Sequence, residues 1–147
     1  MTQKEIELAW SSIKADHVEK KNAEIQRYNQ ELDDLNNTEE RIRTEYATKR
    51  ATLRSRAESL TLARHALQRD GHTEYSAKSD EALTQLMEVH AAQRTAKDEF
   101  MALLRESKRR KDAAKAAHEE TMRYLKIALT KQKTALWAQL EKTTISE

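Results

Sequence analysis

Across 147 residues the chain holds a single glycine, Gly71, and no proline. Tight turns draw on glycine for positive φ and on proline for a preset φ. A fold with many turns is therefore hard to write in this alphabet, and long, uninterrupted helices are what remains. Charged residues make up 35% of positions and apolar residues 37%, a balance that disordered chains also show. Two features favour helices over disorder. Basic and acidic residues are nearly equal, 27 against 25, and the apolar positions recur with a period instead of being scattered.

From Ile25 the apolar residues step three and four positions at a time through Tyr28, Leu32, Leu35, Ile42, Tyr46, Leu53, Leu60, Ala63 and Leu67. Polar residues at Glu39, Lys49 and Arg56 fill the remaining places. This is the heptad seam of a coiled coil. Ile6, Trp10, Ile13 and His17 continue it upstream after a one-residue phase slip before Ile25. A second seam runs through Leu83, Leu86, His90, Phe100, Leu104, Ala114, His118, Met122, Leu125, Leu129, Leu136 and Leu140. Between the two seams lies RDGHTEYSAKS, where Gly71 can end one helix. Ser76 or Ser79 can cap the next, with Asp80 and Glu81 in its first turn. At the other end Thr2 and Glu5 have the spacing of a capping box.

The expected fold is all-α: one domain, a long antiparallel two-helix coiled-coil hairpin, completed by self-association or by a partner helix. Arm one covers about 3–69, the turn about 70–79 and arm two about 79–142. In such a hairpin, facing positions have residue numbers of constant sum. A sum of 150 sets Tyr46 against Leu104, Tyr28 against Met122, Trp10 against Leu140 and Ile13 against Trp137. The rival architecture is one long kinked helix paired in parallel with a second copy. It would stack Lys49, Arg56, Lys97 and Lys111 against their own copies, which the hairpin avoids.

Catalytic chemistry finds no footing in these residues. The five histidines have Lys14, Leu62, Arg69, Met87 and Lys115 three positions before them, so none belongs to the Glu-x-x-His pattern of a di-metal bundle. There is no cysteine for a thiolate metal site or a disulfide. No glycine-rich loop exists to cradle a phosphate. A non-enzymatic protein with no cofactor and no metal is expected. No apolar stretch reaches the roughly 20 residues of a membrane span. The N-terminus lacks the pattern of a leader peptide, so the cytoplasm is the expected compartment.

Three surfaces are candidates for contact with other molecules. Ile6, Leu8, Trp10, Ile127, Trp137 and Leu140 collect apolar surface and both tryptophans where the two ends of the chain should meet. Phe100, Met101 and Leu103 belong to a run of five apolar residues that covers more of a helix than one partner helix can bury. The basic residues Arg105, Lys108, Arg109, Arg110 and Lys115 could contact an anion, although four consecutive charges wrap around a helix and Glu106 and Asp112 interrupt them.

A net charge of only +2 makes nucleic acid a secondary expectation. The expected role is structural: an adaptor or rigid spacer that docks into a larger protein assembly. Alternatives are a stalk-type component of an export apparatus, a receptor-binding hairpin arm, or a polyanion-binding module through 105–115. In its expected shape the chain resembles the two-helix export stalk proteins of flagellar and type III secretion systems and the hairpin arms of colicins. That likeness is one of architecture and carries no residue.

Overall fold

The computed structural model describes the backbone of residues 2–70 and 75–146 and side chains from 2–68 and 77–142. It contains two helices, α1 (Gln3–Asp70) and α2 (Tyr75–Ser146), and no strand among the described residues. They pack against each other as an all-α helical hairpin. The capping box at the start of α1 is formed on both sides. The Glu5 amide donates to Thr2 Oγ1 at 3.2 Å, and the Thr2 amide donates to Glu5 Oε2 at 3.4 Å. Two of the amides left open at a helix start are thereby satisfied.

Gly71 and the side chain of Ser76 fall outside the described residues. Ser79 is not the N-cap that its type suggested. α2 already starts at Tyr75, so Ser79 sits in the second turn as a buried residue, and the first turn carries no acid.

The chain divides into two compact units. One is Met1–Leu35 with Arg109–Glu147, and the other is Asn36–Lys108. In the first, Tyr28 stacks on His118 at 4.2 Å between ring centroids, and Trp10 meets Trp137 at 6.2 Å. In the second, Tyr46 stacks on Phe100 at 4.1 Å. The stacked pairs have residue numbers summing to 146, and the tryptophans to 147. The facing register therefore differs from the expected 150 by about one helical turn. Such a slip keeps every residue on the same side of its helix, so heptad spacing alone cannot choose between the two. What distinguishes them is ring chemistry. At 146 Tyr28 meets His118 and Tyr46 meets Phe100, whereas at 150 the two tyrosines would face Met122 and Leu104.

The buried stripe also departs from the expected seam on α2 ahead of Phe100. Ala82, Val89 and Ala96 are buried, while Leu83 and His90 are exposed and Lys97 reaches solvent. On α1 the inward positions include Glu24, Ala57 and Arg64, where Ile25, Arg56 and Ala63 were expected. The displacement is one residue each time. At Glu24 and on α2 it follows from two places where the seam steps four and four, through Glu24, Tyr28 and Leu32 and through Ala96, Phe100 and Leu104. A four-four step brings the same face round sooner than a strict heptad does. Its central residue, Tyr28 or Phe100, is in each case a stacked ring.

The two seam assignments differ in a measurable way. Val89→Ala should destabilise the fold by about 2 kcal/mol, as expected for a buried aliphatic truncation. His90→Ala should lie within about 0.5 kcal/mol of the parent. Chemical unfolding followed by helical circular dichroism reads both; the reverse order would restore the original seam.

Candidate partner-binding surfaces

The unit Met1–Leu35 with Arg109–Glu147 has a packed interior and a few exposed apolar side chains. Ile6 is fully buried and Leu136 is nearly so. Trp10 is half-buried against Trp137, with the ammonium groups of Lys14 and Lys133 at 5.6 and 5.7 Å from its ring centre. Cations at that range are attracted to the π-face. The tryptophans thus face each other, although Ile13 was the expected neighbour of Trp137. Leu140 is half-buried. Leu8 and Ile127 remain 64% and 55% exposed. Of the six residues anticipated here, Ile6, Trp10 and Leu140 serve the interior to different degrees. Leu8, Ile127 and part of Trp137 face outward.

In the other unit the apolar run splits in the same way. Phe100 turns inward onto Tyr46, while Met101 and Leu103 stay 43% and 49% exposed. Phe100 and Leu103 line a small groove of about 130 Å³ together with Ile42, Tyr46 and Ala96. At its border Lys49 Nζ approaches Glu99 Oε2 at 3.7 Å, an exposed pair that links α1 to α2. The groove exists because Ala96 is short: a larger residue there would fill the space between Phe100 and the facing helix.

The basic residues 105–115 do not form one surface of equal character. Arg105 and Lys108 belong to one unit, and Arg109, Arg110 and Lys115 to the other. All five are exposed, and Arg109 and Arg110 each interact with another group already.

One cluster escaped the sequence reading. Glu24 is buried on the inner side of α1 and is held by both helices. The Arg27 guanidinium donates to both of its oxygens at 2.8 Å, and a further Arg27 N–H donates to Glu31 Oε2 at 2.7 Å. His118 of α2 lies with Nδ1 3.1 Å from Glu24 Oε1. A carboxylate can only accept, so the hydrogen is on Nδ1. The bidentate Arg27 contact holds the Glu24 carboxyl down at about 2, and burial opposes it. The His118 bond adds to the lowering. The signal was present in the sequence: seven residues beyond His17 comes Glu24, not Ile25. An apolar neighbour concealed it.

Among the described residues no group of three or more His, Asp or Glu is arranged to hold a metal ion. No described helix is long and apolar enough to cross a membrane. No protein family, curated protein or solved structure matches the chain.

The Glu24 cluster has a pH signature. Its carboxyl is lowered in the folded state, so its stabilisation is complete above the ordinary value of 4.5 and disappears as pH falls through about 2. Glu24→Gln should lower the unfolding midpoint at pH 7. The difference from the parent should shrink steadily between pH 5 and pH 2. A difference that is constant over this range would separate Glu24 from the ionic link.

Proposed function

We propose that the protein is a non-enzymatic structural or adaptor component, a coiled-coil hairpin that docks into a larger protein assembly by accepting a further helix. The observation that carries this reading is the division of the apolar run 100–104. Phe100 is committed to its own chain, while Met101 and Leu103 flank it at the surface beside an apolar groove. Grooves between two helices take the apolar stripe of a third. Leu8 and Ile127 on the other unit are each exposed as well. Such patches mark contact sites more often than they mark idle surface.

The wider architecture supports the same reading. Two long helices packed against each other suit holding and spacing. An export stalk or a receptor-binding arm would be a specialised version of this role. A polyanion role through 105–115 has less support, because Arg109, Arg110 and Lys111 each interact with another group already.

Leu103→Asp should leave helicity unchanged and abolish association with a second copy or a partner helix. Leu62→Asp, at a leucine more exposed than Leu103 and outside the groove, should leave association intact. Light scattering across a dilution series and photo-cross-linking from position 103 provide the readout. A chain that is monomeric at every concentration and gives no cross-link from 103 rules the adaptor reading out.

A further inference from the structure

A cavity of the unit Asn36–Lys108 has a charge pattern that packing does not explain. Its volume is about 520 Å³, within the range of small-molecule sites. Tyr46, Leu53 and Ala96 supply its apolar part. Arg50 from α1, with Arg94 and Lys97 from α2, supplies three cations, and His90 and Gln93 complete the lining. No carboxylate lines it. Among the described residues, Arg50, Arg94 and Lys97 take part in no ion pair.

A cavity of the other unit is also cationic, but its Lys21 and Arg123 have acids at helical spacing, Glu24 for the first and Glu119 and Glu120 for the second. With 25 acids among 147 residues, a lysine or arginine readily finds an acid three or four positions away on its helix. Arg50 has Tyr46, Ala47, Leu53 and Arg54 at those offsets, and Lys97 has Gln93, Arg94, Phe100 and Met101. Neither has an acid. Arg94 has Asp98 four positions on, yet does not pair with it. The seam leaves the space open. On α1 the only apolar residues between Tyr46 and Leu53 are Ala47 and Ala51, which both face outward, and α2 answers with Gln93 and Ala96. Like charges placed around one cavity repel each other, a cost that an anion between them removes.

We propose that this cavity is a binding site for a small ligand carrying several closely spaced phosphoryl groups, either free polyphosphate or a nucleoside polyphosphate. Arg50 and Arg94 present planar guanidinium forks from opposite helices, the geometry that grips phosphoryl oxygens in pairs. Lys97 adds a point charge. The Gln93 amide and the His90 ring can donate to further oxygens. The site is separate from the basic residues 105–115, and it stands independently of the docking role.

The test titrates the full-length chain with inorganic tripolyphosphate, and in a second arm with ATP, at 150 mM salt by calorimetry. One saturable site per chain is expected. Arg50→Gln and Arg94→Gln should each weaken it at least about tenfold, with helicity checked by circular dichroism. Both variants should be as stable as the parent without ligand, or more so, and should lose the rise in melting temperature that tripolyphosphate gives the parent. In the unaltered protein the ligand should shift the imidazole resonances of His90 and leave those of His17 in place. Equal affinity for the two ligands identifies the phosphoryl chain as the recognised part, and tighter ATP binding identifies a nucleoside polyphosphate. The proposal is overturned by an absence of saturable binding or by binding that survives both arginine changes. It is equally overturned by binding lost instead on Lys21→Gln with Arg123→Gln, which would move the anion to the cationic cavity lined by those residues in the other unit. An oligonucleotide that binds where tripolyphosphate does not would also overturn it.

Discussion

Everything in this fold depends on how closely α1 and α2 can approach along one narrow stripe. Two helices offer each other only a few inward positions per heptad, so the identity of each matters more than in a thick core. On α2 many of those positions are small: Ser79, Ala82, Ala96, Ser107 and Ala114 are all buried. Small residues bring backbones near and leave room for the large side chains opposite. The rings occupy that room, as Tyr46 over Phe100 and Tyr28 over His118. The stacks are therefore what turns a permissive heptad pattern into one register.

The same constraint explains what could be read from the sequence. Two helices, the single break near Gly71 and the Thr2–Glu5 box follow from residue types with strong local meaning. The seam beyond Phe100 was legible because its inward residues, Leu104, His118 and Leu125 among them, are large. Ahead of Phe100 it was not. A reading weighted toward large apolar residues chooses Leu83 and passes over Ala82, one position away. It likewise chooses Ile25 over Glu24, because a buried carboxylate is expected only where its partners are known. Arg27 lies three residues on and could have been noticed. His118 lies 94 residues away and could not.

The surfaces divide along similar lines. A run of five apolar residues announces excess, but only the packing separates Phe100, which serves the interior, from Met101 and Leu103, which face outward. The consecutive basic residues are prominent in the sequence, yet three cations without ion pairs, Arg50, Arg94 and Lys97, line one cavity elsewhere. Arg50 lies 44 residues before Arg94 and comes beside it and Lys97 only because the helices run antiparallel. The antiparallel pairing thus leaves apolar side chains exposed on its flank and a cationic gap in its seam.

The central claim is the antiparallel pairing of α1 with α2 within a single chain, and spin labels at positions 14 and 133 measure it most directly. Both native side chains reach the same tryptophan ring. Doubly labelled protein, diluted with unlabelled chain, should give a short and narrow distance distribution compatible with neighbouring helices whose axes are about 10 Å apart. A distribution centred at several times that separation, or one that vanishes on dilution, would contradict the account.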